Sequence, residues 1–178
     1  AAAGGTGLIA TQWAKALGVT VIGTAGSAEK VALAKAHGCD HVINYTEEDF
    51  AARVREITGG KGVDVVYDGV GKATFEKSLD CLRQRGLMVS FGNASGVVSI
   101  PDITVLSRKG SLYVTRPTTA HYLAKREDLL EGAQALFAAV QSGAVKVEIG
   151  RTFPLDQVAD AHRALEGRKT TGSVVLLP

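Results

Sequence analysis

Short runs dense in Val, Ile and Leu alternate along the chain with longer stretches whose apolar residues recur every three or four positions. The runs at 19–24 (VTVIGT), 41–44 (HVIN), 63–68 (VDVVYD), 87–92 (LMVSFG) and 111–115 (SLYVT) predict strands. Several are apolar on both faces, the pattern of strands buried in a parallel sheet. Between them, Leu8, Ile9, Trp13 and Leu17 fall near helical spacing, and Gly18 is placed to end that helix. Ser27 is placed to cap a helix reaching about residue 36. Thr46, followed by Glu47, Glu48 and Asp49, predicts an N-cap hydroxyl and an acidic first turn for a helix to about residue 57, stopped by Thr58-Gly59-Gly60. A further helix covers roughly 73–82. This strand–helix alternation with short Gly-bearing connections predicts an α/β fold, a doubly wound parallel sheet of Rossmann type with right-handed crossovers.

The rhythm changes after about residue 120. A long helix is expected over 126–141, then Gly143, an alternating run at 145–153, Pro154, a helix near 155–165 and a last strand at 173–177. This tail does not read as another repeat of the same unit. The division expected is a dinucleotide-binding domain at 1–143, with its first strand truncated, and a C-terminal segment at 144–178.

Composition narrows the function classes. The chain has 178 residues, 46% hydrophobic and 21% charged, enough for one globular domain with a substantial core. No uncharged run has the length of a membrane span. Twenty basic against eighteen acidic residues leave a net charge of +2, dispersed along the chain, which gives nucleic acid and lipid little to hold. Cys39 and Cys81 lie far apart without metal-ligand spacing, so a reducing, cytoplasmic setting is expected. The sole methionine is Met88, and the opening Ala-Ala-Ala-Gly-Gly-Thr-Gly is neither a signal peptide nor a usual start. The sequence therefore reads as a fragment opening on the tail of a strand.

That opening is the strongest local motif. On the fingerprint G-x-G-x-x-G, Ala2, Gly4 and Gly7 fill the key places, alanine standing for the first glycine. Gly4 would let backbone approach a pyrophosphate, Gly7 would let helix pack on strand, and the helix N-terminus would offer N–H groups and a positive dipole end. An NAD site normally carries an acid at the end of the second strand, but here the stretch reads Thr24-Ala25-Gly26-Ser27, with Lys30 one turn on. A 2′-phosphate would meet hydroxyls, N–H groups and a cation, which favours NADP. Tyr45 could lie over the adenine side or simply cover a sheet edge.

The segments AAAGGTG (1–7), GTAGSAEK (23–30), VINYTEED (42–49), VDVVYDGVG (63–71), SLDCLRQRGLMVSFGNASG (78–96), KGSLYVTRP (109–117) and the closing TTGSVVLLP resemble the zinc-free NADPH:quinone oxidoreductases of the medium-chain dehydrogenase/reductase superfamily, the group that includes zeta-crystallin. The resemblance runs through essentially the whole chain. It implies that Gly4, Gly5 and Gly7, with Thr6 in the same turn, sit at the pyrophosphate. It further implies that Gly26, Ser27 and Lys30 hold the 2′-phosphate with Tyr45 beside them, and that Phe91, Gly92 and Asn93 border the nicotinamide half. Val70 and Gly71 are cofactor-facing backbone in the same reading, and Arg168 resembles a late arginine that reaches the cofactor. The family's N-terminal substrate domain is missing from this chain, and the tail from about 144 belongs structurally with it.

The resulting expectation is hydride transfer from NADPH to a quinone or enone by the full-length protein, the isolated fragment being inactive. No general acid stands out, which suits acceptors that take their proton from solvent. The alternative is a nucleotide-binding module without turnover, in a structural or RNA-binding role. No zinc is expected, since His37, His41, His121 and His162 form no ligand pattern. Ser90, Ser95 and Ser99 lack a nucleophile elbow. Arg83 and Arg85 read as cations at a helix C-terminus. Leu112, Tyr113 and Val114 fall in the outermost strand, whose apolar edge, and the resemblance, point to a homodimer through 111–115.

Overall fold

The computed structural model describes residues 2–167 and 169–178. In chain order the elements begin α1 (Gly5–Ala16), β1 (Ile22–Ala25), α2 (Ala28–Ala36), β2 (His41–Asn44), α3 (Phe50–Ile57), β3 (Val63–Asp68), α4 (Phe75–Asp80) and β4 (Leu82–Ser90). They continue α5 (Thr104–Arg108), β5 (Tyr113–Thr115), α6 (Thr119–Tyr122), α7 (Arg126–Gln141), β6 (Ile149–Pro154), a 3₁₀ turn (Leu155–Gln157), α8 (Val158–Glu166) and β7 (Ser173–Leu177). The chain divides into two compact units: residues up to Thr46 together with Ala133–Pro178, and Glu47–Gly132.

The first unit is built on two parallel strand pairs. β1 pairs with β2 in the register Ile22 to His41, and β6 pairs with β7, interrupted by one irregularity between Ile149 and Arg151. Gly18, at φ +79°, ends α1 by donating its N–H to the Lys15 carbonyl at 3.0 Å, a left-handed stop that suits glycine. Ser27 caps α2 as expected, its hydroxyl oxygen accepting from the Lys30 N–H at 3.3 Å. Ala2, Ala34 and Cys39 are buried together under Val21 and Val42, and Phe153, Ala161 and Ala164 close a second small core against Val174.

In the second unit the order is β3-β4-β5, all parallel. Phe75, Leu79, Leu82, Met88 and Leu112 form its buried core. β5 occupies one edge of this sheet, with Leu112 buried beside it and Tyr113 turned out to solvent.

Several local expectations need correction. The cap of α3 is Asp49, whose Oδ1 accepts from the N–H groups of Ala51 (2.9 Å) and Ala52 (3.1 Å). Thr46 is unavailable because its hydroxyl donates to Asn44 Oδ1 at 2.8 Å. Arg83 and Arg85 do not sit on a helix end; α4 stops at Asp80 and both arginines lie in β4, which begins five residues earlier than the apolar run suggests. α5 and α6 were not foreseen. The single expected sheet appears, among the described residues, as three parallel hydrogen-bonded ladders of two, three and two strands. The outer side of β1 receives residue 2: Ala2 donates its N–H to the Thr24 carbonyl at 2.9 Å, a rung of the kind a neighbouring strand makes. No helix of the described residues is long and apolar enough to cross a membrane.

Candidate cofactor-binding site

Between Ala2 and Gly7 the largest side chain is that of Thr6. The backbone passes from extended geometry at Gly4 (φ −85°, ψ 170°) directly into α1, and no side chain caps the helix. Its first turn holds no carboxylate, so no acidic side chain answers the positive end of the helix dipole. The first bond that closes the helix runs from Leu8 N–H to the Gly4 carbonyl at 2.9 Å, leaving the amides before it without intrahelical acceptors. A methyl group placed on Gly4 would meet no atom within 4 Å, an open face for a close ligand. On Gly5 it would stand 2.8 Å from Ser173 Oγ and 3.2 Å from Ser173 Cα, so it is Gly5 that lets β7 pack on the start of α1. Gly4 pairs in parallel with Gly172, and Gly172 N–H donates to the Ala3 carbonyl at 3.1 Å.

Beyond the ends of β1 and β2 lies an open cavity of about 430 Å³. Gly26, Ser27, Lys30 and Tyr45, four of the residues expected from sequence, line it together with Glu29, Thr46, Lys169 and Thr171. Tyr45 is anchored by its N–H to the Ala25 carbonyl at 3.1 Å, and its ring covers Gly26. Ser27 spends its hydroxyl oxygen as an acceptor for the helix cap and keeps its O–H as a donor. The absence of an acid in Thr24–Ser27 stands, but the fold brings Glu29 to the rim, against the two cations Lys30 and Lys169. The turn at Gly4–Gly7 does not line this cavity; the Gly4–Gly172 pairing ties it to the tail segment that supplies Thr171. Arg168 lies outside the described residues.

The second unit carries the remaining expected residues, all past the carboxyl ends of β3 and β4. Asp68 closes β3 and is buried. Its Oδ1 accepts from the N–H groups of Val70 (2.7 Å) and Gly71 (3.0 Å), and its Oδ2 from the hydroxyls of Thr74 (2.7 Å) and Ser78 (2.8 Å). Burial alone would raise this carboxyl; the N–H and hydroxyl donors outweigh it and hold the group below the usual carboxylate range. Gly71, at φ +89°, turns the chain back here. Ser95 locks the neighbouring loop, donating its N–H (2.7 Å) and its hydroxyl (2.8 Å) to the Val70 carbonyl. Phe91 donates its N–H to the Asp68 carbonyl at 2.9 Å and lays its exposed ring over Gly69, where a methyl group would come within 2.9 Å of Cζ. Arg116 Nη1 donates to the carbonyls of Ser90 (3.0 Å) and Gly92 (3.1 Å), fixing the segment that leads to Asn93.

A family model described as zinc-binding dehydrogenase matches residues 5–128. The chain belongs to that family. Among curated relatives, quinone oxidoreductase 1 of Escherichia coli (strain K12) is 54% identical over 180 residues, covering 100% of this chain and 55% of the relative. The 2-haloacrylate reductase of a Burkholderia species is 52% identical over 179 residues, covering 100% and 54%. The crystal structure of Escherichia coli quinone oxidoreductase complexed with NADPH matches with a TM-score of 0.97 at 54% identity, over 100% of this chain and 55% of that one. The chain therefore spans about 55% of the length of such relatives, and its α/β fold with parallel sheets is that of their Rossmann-type domain.

The family's description raises the matter of zinc. Among the described residues no three His, Cys, Asp or Glu side chains gather so as to hold a metal ion. Burial pushes the Cys81 thiol up to about 12 and raises that of Cys39.

Sequence reasoning missed Asp68 as the organiser of its loop, Arg116 as the clamp on Ser90 and Gly92, and Lys169 and Thr171 as pocket residues. Asp68 carries a signal in hindsight, an acid ending an apolar strand just before Gly-Val-Gly. Lys169 and Thr171 carry none, because only the pairing of the tail brings them to Gly26.

Proposed function

We propose that this chain is the cofactor-binding portion of a zinc-independent NADPH:quinone oxidoreductase, in which the reduced nicotinamide, when bound, supplies a hydride to a quinone or enone. The observation that carries the reading is the cavity at Gly26 and Ser27, where Lys30 and Lys169 supply positive charge and the hydroxyls of Ser27, Tyr45 and Thr171 supply donors, with no carboxylate ending β1. That set suits a 2′-phosphate and leaves a bare 2′-hydroxyl without its usual acidic partner. In this reading Gly4, Gly5, Thr6 and Gly7 present the dipole end and backbone amides of α1 to the pyrophosphate. Val70, Phe91, Gly92 and Asn93 border the nicotinamide half, held in shape by Asp68 and Arg116, and Arg168 adds a cation from the tail.

The chain's own residues orient the cofactor and exclude water; the acceptor's proton comes from solvent. The segment 144–178 packs with the substrate domain of the whole protein, and β5, at an edge with Tyr113 outward, pairs with its counterpart in a homodimer, in the cytoplasm. The two free cysteines fit a reducing compartment. Calorimetric titration with NADPH and NADH in parallel tests the reading: submillimolar NADPH binding and much weaker NADH binding are expected. Stopped-flow mixing of the full-length enzyme with NADPH and a series of quinones tests the chemistry. Absence of NADPH oxidation with every quinone overturns it.

A further inference from the structure

We infer that the second unit holds an anion site, at the end opposite its expected cofactor residues, for a small ligand bearing two or more phosphate groups. The cleft opens where β3, β4 and β5 begin, whereas Val70 and Phe91–Asn93 follow the ends of β3 and β4. A six-residue strand separates the two ends by about 20 Å. Arg55, Lys61, Arg83, Arg85, Arg108 and Lys109 all line this cleft, a shallow depression of about 800 Å³ open to solvent. They come from four separate stretches of sequence, so the near-neutral total charge conceals the concentration.

Three of the six are matched by acids outside the lining: Arg83 by Asp64 at 2.6 Å, Arg108 by Asp102 at 2.9 Å, and Lys109 by Asp80. Arg55, Lys61 and Arg85 have no carboxylate in ion-pair reach among the described residues. Arg55 instead donates to the carbonyls of Asp80 (2.9 Å), Gly60 (3.0 Å) and Leu82 (2.8 Å). Carbonyl oxygens fix the guanidinium in place but leave its charge and two of its five N–H donors available. Arg85 is held at φ +57°, a conformation that favours glycine, by its N–H bond to the Gly110 carbonyl at 2.8 Å. This left-handed residue falls where the register of β3 and β4 shifts, and it sets Arg85 at the rim of the cleft.

The surplus of three positive charges calls for a multivalent anion, to which Arg55 adds its charge and its two remaining N–H donors. A single-stranded nucleic acid fits less well, since no aromatic side chain lines the cleft to stack a base.

The test uses the full-length dehydrogenase saturated with NADPH and titrated calorimetrically with inorganic tripolyphosphate. Expected is one site per chain, and in the variant Lys61→Gln with Arg85→Gly a loss of affinity of about tenfold or more, the scale of one or two charge-assisted contacts. Glycine suits the backbone at residue 85 and Lys61 is exposed, so the fold should be retained; circular dichroism checks this, and Lys61→Gln alone carries the same expectation at smaller size. NADPH affinity should be unchanged in either variant. The proposal falls if saturation with NADPH abolishes tripolyphosphate binding, which would locate the anion at the cofactor end, or if the variants bind it as tightly as the parent. It also falls if tripolyphosphate does not bind; a single-stranded oligonucleotide binding through Lys61 and Arg85 would then assign the cleft to nucleic acid. Because the readout is tripolyphosphate and not turnover, it stands apart from the oxidoreductase reading.

Discussion

The ring of Tyr45 lies across Gly26, its Cζ 2.7 Å from where a Cβ on residue 26 would stand. The cavity beside Ser27 exists in its present shape because residue 26 has no side chain. Gly26→Ala should displace the ring and raise the Kd for NADPH by about tenfold, the energy of one lost set of contacts. In a Tyr45→Ala background the same change should cost little. Calorimetric titration of the four proteins gives the coupling directly; equal losses in both backgrounds would refute the steric account.

Lys30 and Lys169 face the same cavity from α2 and from the tail. Lys30→Gln and Lys169→Gln should each weaken NADPH binding by roughly three- to thirtyfold and leave NADH binding nearly unchanged, because only the phosphorylated ribose needs the charge. Parallel titrations with both cofactors check this. A uniform loss for both cofactors would mean that the lysines act elsewhere.

Asp68 holds two backbone amides and two hydroxyls in a buried site. Asp68→Ala leaves them without their acceptor and should cost about 3 kcal/mol of stability, measured by urea denaturation. The folded carboxyl titrates below its unfolded value. Its contribution is therefore complete above the ordinary carboxylate pKa and is lost as pH falls through the lower folded one. Asp68→Asn should flatten the acid limb of the stability curve.

His37, at the end of α2, sits between two acceptors: Nδ1 is 2.8 Å from the Leu33 carbonyl and Nε2 is 3.0 Å from Glu148 Oε1. Both ring nitrogens can be satisfied as donors only in the imidazolium, and the bond to Glu148, seconded by the Leu33 carbonyl, raises the pKa above its ordinary value. The stabilisation is complete below the unfolded pKa and disappears as pH rises through the raised folded one. Because the Glu148 side chain is 46% exposed, it amounts to about 0.5 kcal/mol. Thermal unfolding between pH 5 and 9 should show this component in the parent and not in Glu148→Gln.

Local chemistry was legible where it was decided locally. His41–Asn44, Val63–Asp68, Arg126–Gln141 and Ser173–Leu177 appear where their apolar spacing puts them, and Ser27 caps the helix that its position announces. The cap of α3 was misread because Thr46 and Asp49 both satisfy the sequence rule; Asn44 decides between them by engaging the Thr46 hydroxyl. The basic cleft and the tail's share of the cavity were invisible for a different reason. Both depend on residues far apart in sequence, such as Arg55 with Arg108 or Gly26 with Lys169, and no spacing rule reaches across such separations.

The parallel pairing of Gly4 with Gly172 has a consequence for biosynthesis. When the glycine turn emerges from the ribosome, its pairing partner has not yet been translated, and β1 and β2 are complete while Lys169 and Thr171 do not exist. The cavity at Gly26 and Ser27 is therefore complete only after residues 169–172 have been translated. Until then this unit is without the contacts that β6, α8 and β7 supply. The entropy of closing so long a loop grows only slowly with its length, so the delay falls on timing far more than on final stability.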